Sequence, residues 1–337
     1  MTTPSPRSPR PIVWLVPVWD RLDGAVLAAT TLVPWLRSQG HAAEIWSVMP
    51  PLLPGAEHAH ARLAAGAWPA GVVLTLDTFA MWRTVATAAP GTPPLLAAYL
   101  HGASTWQWAR MYGLADDVAT WWVPLQGGDW HTLPGWPPRG AVEAMQPGFD
   151  PADYRTTKLT PREGLLAVDC SMAKGGMLLV SLVVALRSSG WEGSVRVVSG
   201  GGCSAVHQLR DLPGVQVLPQ QRDMRALYAS ARVVVVPSQA ETFGRVPLEA
   251  VAAGTPVVCR DLPSFRQINR NGALCLVPDG MGLDAWRRWV LARLQDRALW
   301  QTCHVAGLAL ADQWGAAAGD FDPLLRFAER AVLHAVP

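Results

Sequence analysis

The chain has 337 residues, of which 28 are basic and 26 acidic, for a formal net charge of +2, and so even a balance excludes an overall electrostatic footprint for nucleic acid. Half of the residues are hydrophobic and only 16% are charged, which excludes a disordered polymer and leaves apolar material for two domains of ordinary size. Lys158 and Lys174 are the only lysines, so each stands out against an arginine-rich background.

Residues 1–11, MTTPSPRSPRP, read as a disordered tail of Pro, Ser and Arg. The IVWLV run behind it is short and soon followed by charge, unlike the core of a secretion signal. From residue 12 the chain alternates β-rich bursts with helical periodicity: IVWLV, then apolar positions at Val26, Leu27, Leu32, Val33 and Leu36, then AEIWSV. This is the pattern of a βαβ unit, and VVLTL, LLAAYL and TWWVPL continue it to about residue 150. The stretch Met145 to Gly164 is rich in Pro, Gly and charge and lacks an apolar period, so residues 151–163 are expected to link two domains. GLLAV, SVRVV, VQVL, RVVVVP and TPVVC then restart the alternation over residues 164–312. The run MLLVSLVVAL is about half of the roughly 20 residues that cross a bilayer. The final segment, residues 313–337, contains the amphipathic FDPLLRFAERAVLHAV, a helix that could lie on either domain. Such alternation predicts two doubly wound parallel sheets covered by helices on both faces, with ligands at the carboxyl ends of the strands.

The five cysteines are odd in number and never two residues apart, which fits neither a disulfide framework nor a zinc knuckle and favours a reducing cytoplasm. His58-Ala-His60, Asp116-Asp117 and Asp320-Phe-Asp322 lack matched partners, so no metal site is expected.

The densest chemical signal is VVVVPSQAETFGRVPLEAVAAGTPVV, Val233 to Val258. A buried strand stopped by Pro237 delivers Glu241 to the loop at its carboxyl end. Phe243-Gly244 then turns the chain, and a helix is predicted from near Val246, with Pro247 in its first turn and Glu249 just inside. The free amides and positive dipole end of that helix favour an anion, most naturally a phosphate. A carboxylate on each side suits a ligand that is anionic in the middle and hydroxyl-rich at both ends. Alone, the two glutamates would read as a solvated loop residue and a residue favoured by the helix dipole.

The whole pattern, however, resembles the donor-site signature of retaining, GT-B-fold glycosyltransferases of the "group 1" family, whose hallmark is Glu, seven residues, Glu. The resemblance spans about residues 12–310 and is strong from 164 to 260. It implies two Rossmann-like domains with an interdomain cleft: an acceptor-binding domain over 12–150 and a nucleotide-sugar-binding domain over 164–312, with the last helix free to cross back to the first. It makes Glu249 the ribose ligand and Glu241 the sugar-side carboxylate. Backbone groups of Phe243, Gly244, Arg245 and Val246 would face sugar and diphosphate, and Lys174 would meet the diphosphate as a point charge. In the first domain, His101 at the end of LLAAYL would face the reacting carbon, and Gly24 either approaches the diphosphate or makes a turn before a helix.

Two departures stand out. Asp169 occupies the position where the family usually has an arginine, five residues before the lysine, and Leu22-Asp23-Gly24 replaces a pair of glycines. Of the 17 tryptophans, most suit core filling, while Trp106 and Trp108, just after His101, are the candidates for stacking on a sugar.

The function implied is transfer of a glycosyl group, with retention, from a UDP- or GDP-sugar to a carbohydrate, lipid-linked or protein hydroxyl, without cofactor, metal or nucleic acid. Peripheral contact with a membrane stays open. The alternatives are a weakened relative that binds a nucleotide or a partner protein, and a nucleotide-sugar isomerase or phosphorylase on the same fold.

Overall fold

A computed structural model describes residues 10–20, 24–75, 78–79, 81, 93–100, 103–116, 120–125, 130–146, 149–155, 161–200, 203–316 and 320–335. The chain divides into two compact units, Met1–Gly148 with Gly319–Pro337, and Phe149–Ala318.

The first unit is built on β1 (Ile12–Val16), β2 (Ala43–Ser47), β3 (Glu57–His58), β4 (Gly71–Leu74), β5 (Leu95–Leu100), β6 (Trp121–Pro124) and β7 (Ala141–Val142). They form one sheet in the order β3-β2-β1-β4-β5-β6-β7, every neighbour parallel. β1 is buried along its whole length, as a strand with covered faces must be, and its uninterrupted apolar run IVWLV follows from that position. Val13, Leu15, Val72, Leu74 and Leu96 supply the aliphatic part of one core, filled by Trp46, Trp106 and Trp122.

The helix Asp322–His334 groups with this unit rather than with the residues that precede it. Gly71 permits its close approach, because a Cβ there would lie 2.7 Å from Ala331 Cβ and 2.9 Å from Phe327 Cζ. Arg326 on the same helix donates from Nε to Glu143 Oε2 at 2.8 Å, just beyond β7.

The second unit carries β8 (Glu163–Val168), β9 (Val195–Val198), β10 (Val215–Leu218), β11 (Ala231–Val236), β12 (Val257–Arg260) and β13 (Cys275–Val277). These form a second all-parallel sheet in the order β10-β9-β8-β11-β12-β13. The chain winds outward from β8 through β9 to β10, then returns to β11 on the other side of β8. The winding therefore reverses between β8 and β11, the place where ligands of open α/β sheets bind, outside the carboxyl ends. Helices Gly176–Ser188 and Gly282–Gln295 pack on a core of Leu165, Ala167, Val233 and Val235.

Part of the segment expected as a linker is built into this unit. Pro151–Asp153 form a single 3-10 turn, closed by Ala152 N donating to Asp150 Oδ1 at 2.8 Å, and Glu163 already belongs to β8. Among the described residues, no helix is long and apolar enough to cross a membrane.

Candidate active site

Three loops gather at the carboxyl ends of the second sheet. The loop after β8 runs from Asp169 to Gly175, and the loop after β11 runs from Pro237 to Gly244. They are tied together at the backbone, where Gln239 N donates to Ala173 O at 2.9 Å. Gly175, at φ 76°, comes so close that a Cβ on it would lie 2.1 Å from Pro237 O. Only glycine meets both the left-handed backbone and that contact.

This tie brings the predicted lysine and the first glutamate into contact. Lys174 Nζ donates to Glu241 Oε1 at 2.6 Å, and Ser238 Oγ donates to the same oxygen at 2.8 Å. Both charged side chains keep some solvent access, 34% for Lys174 and 16% for Glu241, whereas Ser238 is buried. An ammonium offers three donors, so Lys174 can hold Glu241 and an anionic ligand together. Arg260, the last residue of β12, steadies the same loop by donating from Nε to Ser238 O at 3.0 Å. The third loop begins at Gly200 and ends at Cys203, whose Sγ donates to Cys170 O at 3.1 Å; Gly201 and Gly202 lie outside the described residues.

The helix after Gly244 runs Arg245–Ala252, starting one residue before the sequence expectation. Gly244 has φ 85°, and a Cβ on it would lie 2.3 Å from Phe265 Cε1. The turn thus exists because glycine alone passes Phe265. Phe243 is buried edge-on against Trp314, with ring centroids 5.4 Å apart, so its side chain is a packing residue. First-turn amides have no intrahelical acceptor, and Pro247 removes one of them, leaving those of Arg245 and Val246 at the tip.

Glu249 sits on this helix in a setting the sequence reading did not foresee. Its Oε1 accepts from Tyr154 Oη at 2.9 Å and from Arg245 Nε at 3.1 Å, and its Oε2 accepts from Tyr228 Oη at 2.9 Å. Arg245 Nη2 also donates to Tyr154 Oη at 3.1 Å. Glu249 itself is 7% exposed. Burial, and next the charge of Glu249, push the phenol pKa values of Tyr154 and Tyr228 above their ordinary range, so both hydroxyls stay protonated and donate. Burial alone would lower the pKa of Arg245, but Glu249 and then Tyr154 outweigh it and hold the guanidinium charged. A carboxylate has about four lone-pair positions; these three donors leave room for one more hydroxyl. Tyr154 lies 95 residues from Glu249 and Tyr228 lies 21. No local spacing in the sequence marks either tyrosine as its partner.

Asp169 explains itself locally. Among the described residues it is the non-glycine residue with positive φ, 60°, and its Oδ1 accepts from Ser171 N at 2.7 Å. Short polar side chains tolerate this conformation by bonding nearby backbone, so the carboxylate shapes the loop that presents Lys174.

In the first unit, Gly24 is the first residue of the helix Gly24–Ser38. His101 lies outside the described residues, as do Leu22 and Asp23. The expectation that Trp106 stacks on a sugar is corrected: it is 1% exposed, packs edge-on against Trp122 and Trp136, and donates from Nε1 to Pro134 O at 3.0 Å. Trp108 is exposed and stacks on Tyr112. Among the described residues, no group of three or more His, Cys, Asp or Glu is placed to hold a metal ion.

Residues 170–296 match the family model described as "Glycosyl transferases group 1". Over 242 residues the chain is 29% identical to a D-inositol 3-phosphate glycosyltransferase of Nocardia farcinica, an alignment covering 67% of this chain and 48% of that relative. The chain thus spans about half the length of that relative, and less of the next ones it matches. Several solved structures are similar across nearly the whole chain. The sucrose-phosphate synthase of Thermosynechococcus elongatus gives a TM-score of 0.70 at 14% identity, covering 97% of this chain and 100% of that one. Anabaena Alr3699/HepE, solved with UDP and glucose, gives 0.69 at 15% identity, covering 95% and 99%. The fold is GT-B, two Rossmann-like α/β units with parallel sheets, and residues 170–296, which carry most of the site, are similar to the group 1 glycosyltransferases.

Proposed function

We propose that this protein transfers a glycosyl group from a nucleotide-sugar donor to a hydroxyl acceptor, and that the donor binds at the loops of the second unit. The observation that carries the proposal is the Lys174–Glu241–Ser238 cluster at the carboxyl ends of β8 and β11, where the winding of the sheet reverses, beside the tip of the helix Arg245–Ala252.

In this reading Lys174 and the tip amides of Arg245 and Val246 take the diphosphate, offsetting the charge that develops on it as the sugar leaves. Glu241, held in place by Ser238, accepts from hydroxyls of the sugar. Glu249 accepts from the ribose on its remaining lone pair, or on two once Tyr154 swings away. Positioning and electrostatics then carry the chemistry, and neither a resident metal nor an organic cofactor is assigned. Retention at the anomeric carbon is carried over from the resemblance to the group 1 family, and the binding of UDP by the Anabaena relative favours a uridine donor over a guanosine one. His101 and Gly24 are proposed for the sugar and diphosphate on the same resemblance.

A thermal-shift panel of UDP-, GDP- and ADP-sugars tests this. One nucleotide class is expected to stabilise the native protein, and Lys174→Ala should weaken its apparent affinity by about tenfold or more, the loss of one charge-assisted hydrogen bond. Silence of the native protein toward all three classes would overturn the donor site. A second reading, nucleotide binding without transfer, is favoured by the way Tyr154, Tyr228 and Arg245 occupy Glu249. Stabilisation without release of nucleoside diphosphate across an acceptor panel would select it.

A further inference from the structure

The first unit contains a cavity of about 420 Å³ lined by Leu95, Leu96, Trp121, Phe327 and Arg330, among others. It lies at the amino ends of β5, β6 and β7, since Leu95 opens β5, Trp121 opens β6 and Ala141 opens β7. Ligand sites of open α/β sheets lie at the opposite, carboxyl ends, so the cavity is separate from any such site of its own sheet. It also shares no residue with the donor loops, which belong to the second unit.

The helix Asp322–His334 roofs the cavity and touches the rest of the unit on two sides of it. On one side Phe327 and Ala331 press against Gly71 at the start of β4. On the other, Arg326 is fixed to Glu143 beyond β7. Between these points the helix faces the amino ends of β5 and β6 across the cavity. Its volume falls within the range of small-molecule pockets, roughly 300–1,000 Å³, and is far above the roughly 30 Å³ of a single water.

The lining specifies chemistry. Leu95, Leu96 and Phe327 form an apolar wall. Of the polar groups, the Arg330 guanidinium lies over the Trp121 ring at 5.6 Å and takes part in none of the ion pairs among the described residues. Buried Thr120 Oγ1 and Trp121 Nε1, both from lining residues, have no hydrogen-bond partner among the described residues. Indole N–H and guanidinium can only donate. The Thr120 hydroxyl and the His334 imidazole, also in the lining, can donate or accept; a ligand that brings an acceptor satisfies the donor-only groups, and the Arg330 cation favours an anion there.

We propose that this cavity is a second ligand site, for a small anionic amphiphile: a carboxylate or phosphate head at Arg330 with an apolar body against Leu95, Leu96 and Phe327. This site does not depend on the donor reading. The headgroup could come from a free molecule or from a lipid, and the two sources share the same recognition.

Octanoate is the probe, titrated into the full chain by calorimetry, with 1-octanol as the neutral match and phosphatidylglycerol vesicles as the lipid arm. Octanoate should bind saturably and at least about tenfold more tightly than octanol, the ratio for one charge-assisted hydrogen bond. Arg330→Gln should remove that preference while leaving the thermal shift from nucleotide sugars unchanged. Ala141→Trp, at an exposed lining position, should fill the cavity and abolish binding of both octyl compounds. Octanoate binding without retention on vesicles places the ligand free in solution, and retention on vesicles that Arg330→Gln abolishes places the same chemistry on a lipid. No saturable octanoate binding and no Arg330-dependent retention overturns the proposal, and so does binding that survives both substitutions.

Discussion

At the scale of single residues, the buried carboxylate of Glu249 is held by three donors from three different elements or loops. Two phenols and a guanidinium converge on it. Removing it by Glu249→Ala strands the charge of Arg245 in a buried place, and breaking such a pair costs about 3–5 kcal/mol. Urea unfolding should show a loss of that order, whereas Tyr154→Phe, which deletes the bond donated to Glu249 and the one accepted from Arg245, should cost about 1–3 kcal/mol. The same cluster sets an alkaline limit. Tyr154 and Tyr228 ionise near their ordinary pKa of 10.0 when unfolded but hold their protons when folded, because burial first and Glu249 second raise their pKa values. Between those values the folded state carries more protons, so stability is full below about pH 10 and falls as pH rises beyond it. Tyr228→Phe should flatten that decline in a series of unfolding titrations from pH 8 to 11. These partners were invisible in the sequence because the bonds join positions distant along the chain. The spacing of Glu241 and Glu249, by contrast, is a local property of loop and helix, and was legible.

At the scale of elements, ten of the strands were readable from short β-branched or apolar bursts such as IVWLV and RVVVVP, because a strand buried on both faces must be continuously apolar. β3, β7 and β13 were not. Glu57–His58 and Ala141–Val142 have two residues each and Cys275–Val277 has three, all at or next to the edge of a sheet, where pairing with one neighbour needs no apolar run. Composition marks Met145 to Gly164 as loop, while Tyr154 within it is drawn into the second unit by a partner far along the chain. The loop after β8 shows how little tolerance an element junction has. Gly175→Ala would force a left-handed backbone on alanine and drive its Cβ against Pro237 O, with an expected cost of about 1–3 kcal/mol. Chemical denaturation should report that loss, together with a weaker response to nucleotide sugars, because Lys174 precedes the strained residue.

At the scale of the molecule, the two units differ in how the chain completes them. The second is one continuous stretch, Phe149–Ala318, whereas the first is assembled from Met1–Gly148 and Gly319–Pro337. Truncation after Ala318 should therefore act unevenly. Calorimetry is expected to show a lowered transition for the first unit, which loses Phe327 and Ala331 from Gly71, and an undisturbed transition for the second. Equal loss in both would contradict the division.

The contact of Gly71 with Phe327 and Ala331 also bears on birth at the ribosome. Domains fold as units while the chain grows, and the segment that seals the amino ends of the first sheet is made only after all of the second unit. The early-made half must wait with an uncovered flank, while the later-made half matures ahead of it. A nascent-chain stall anywhere before the closing helix would leave that flank open to chaperones.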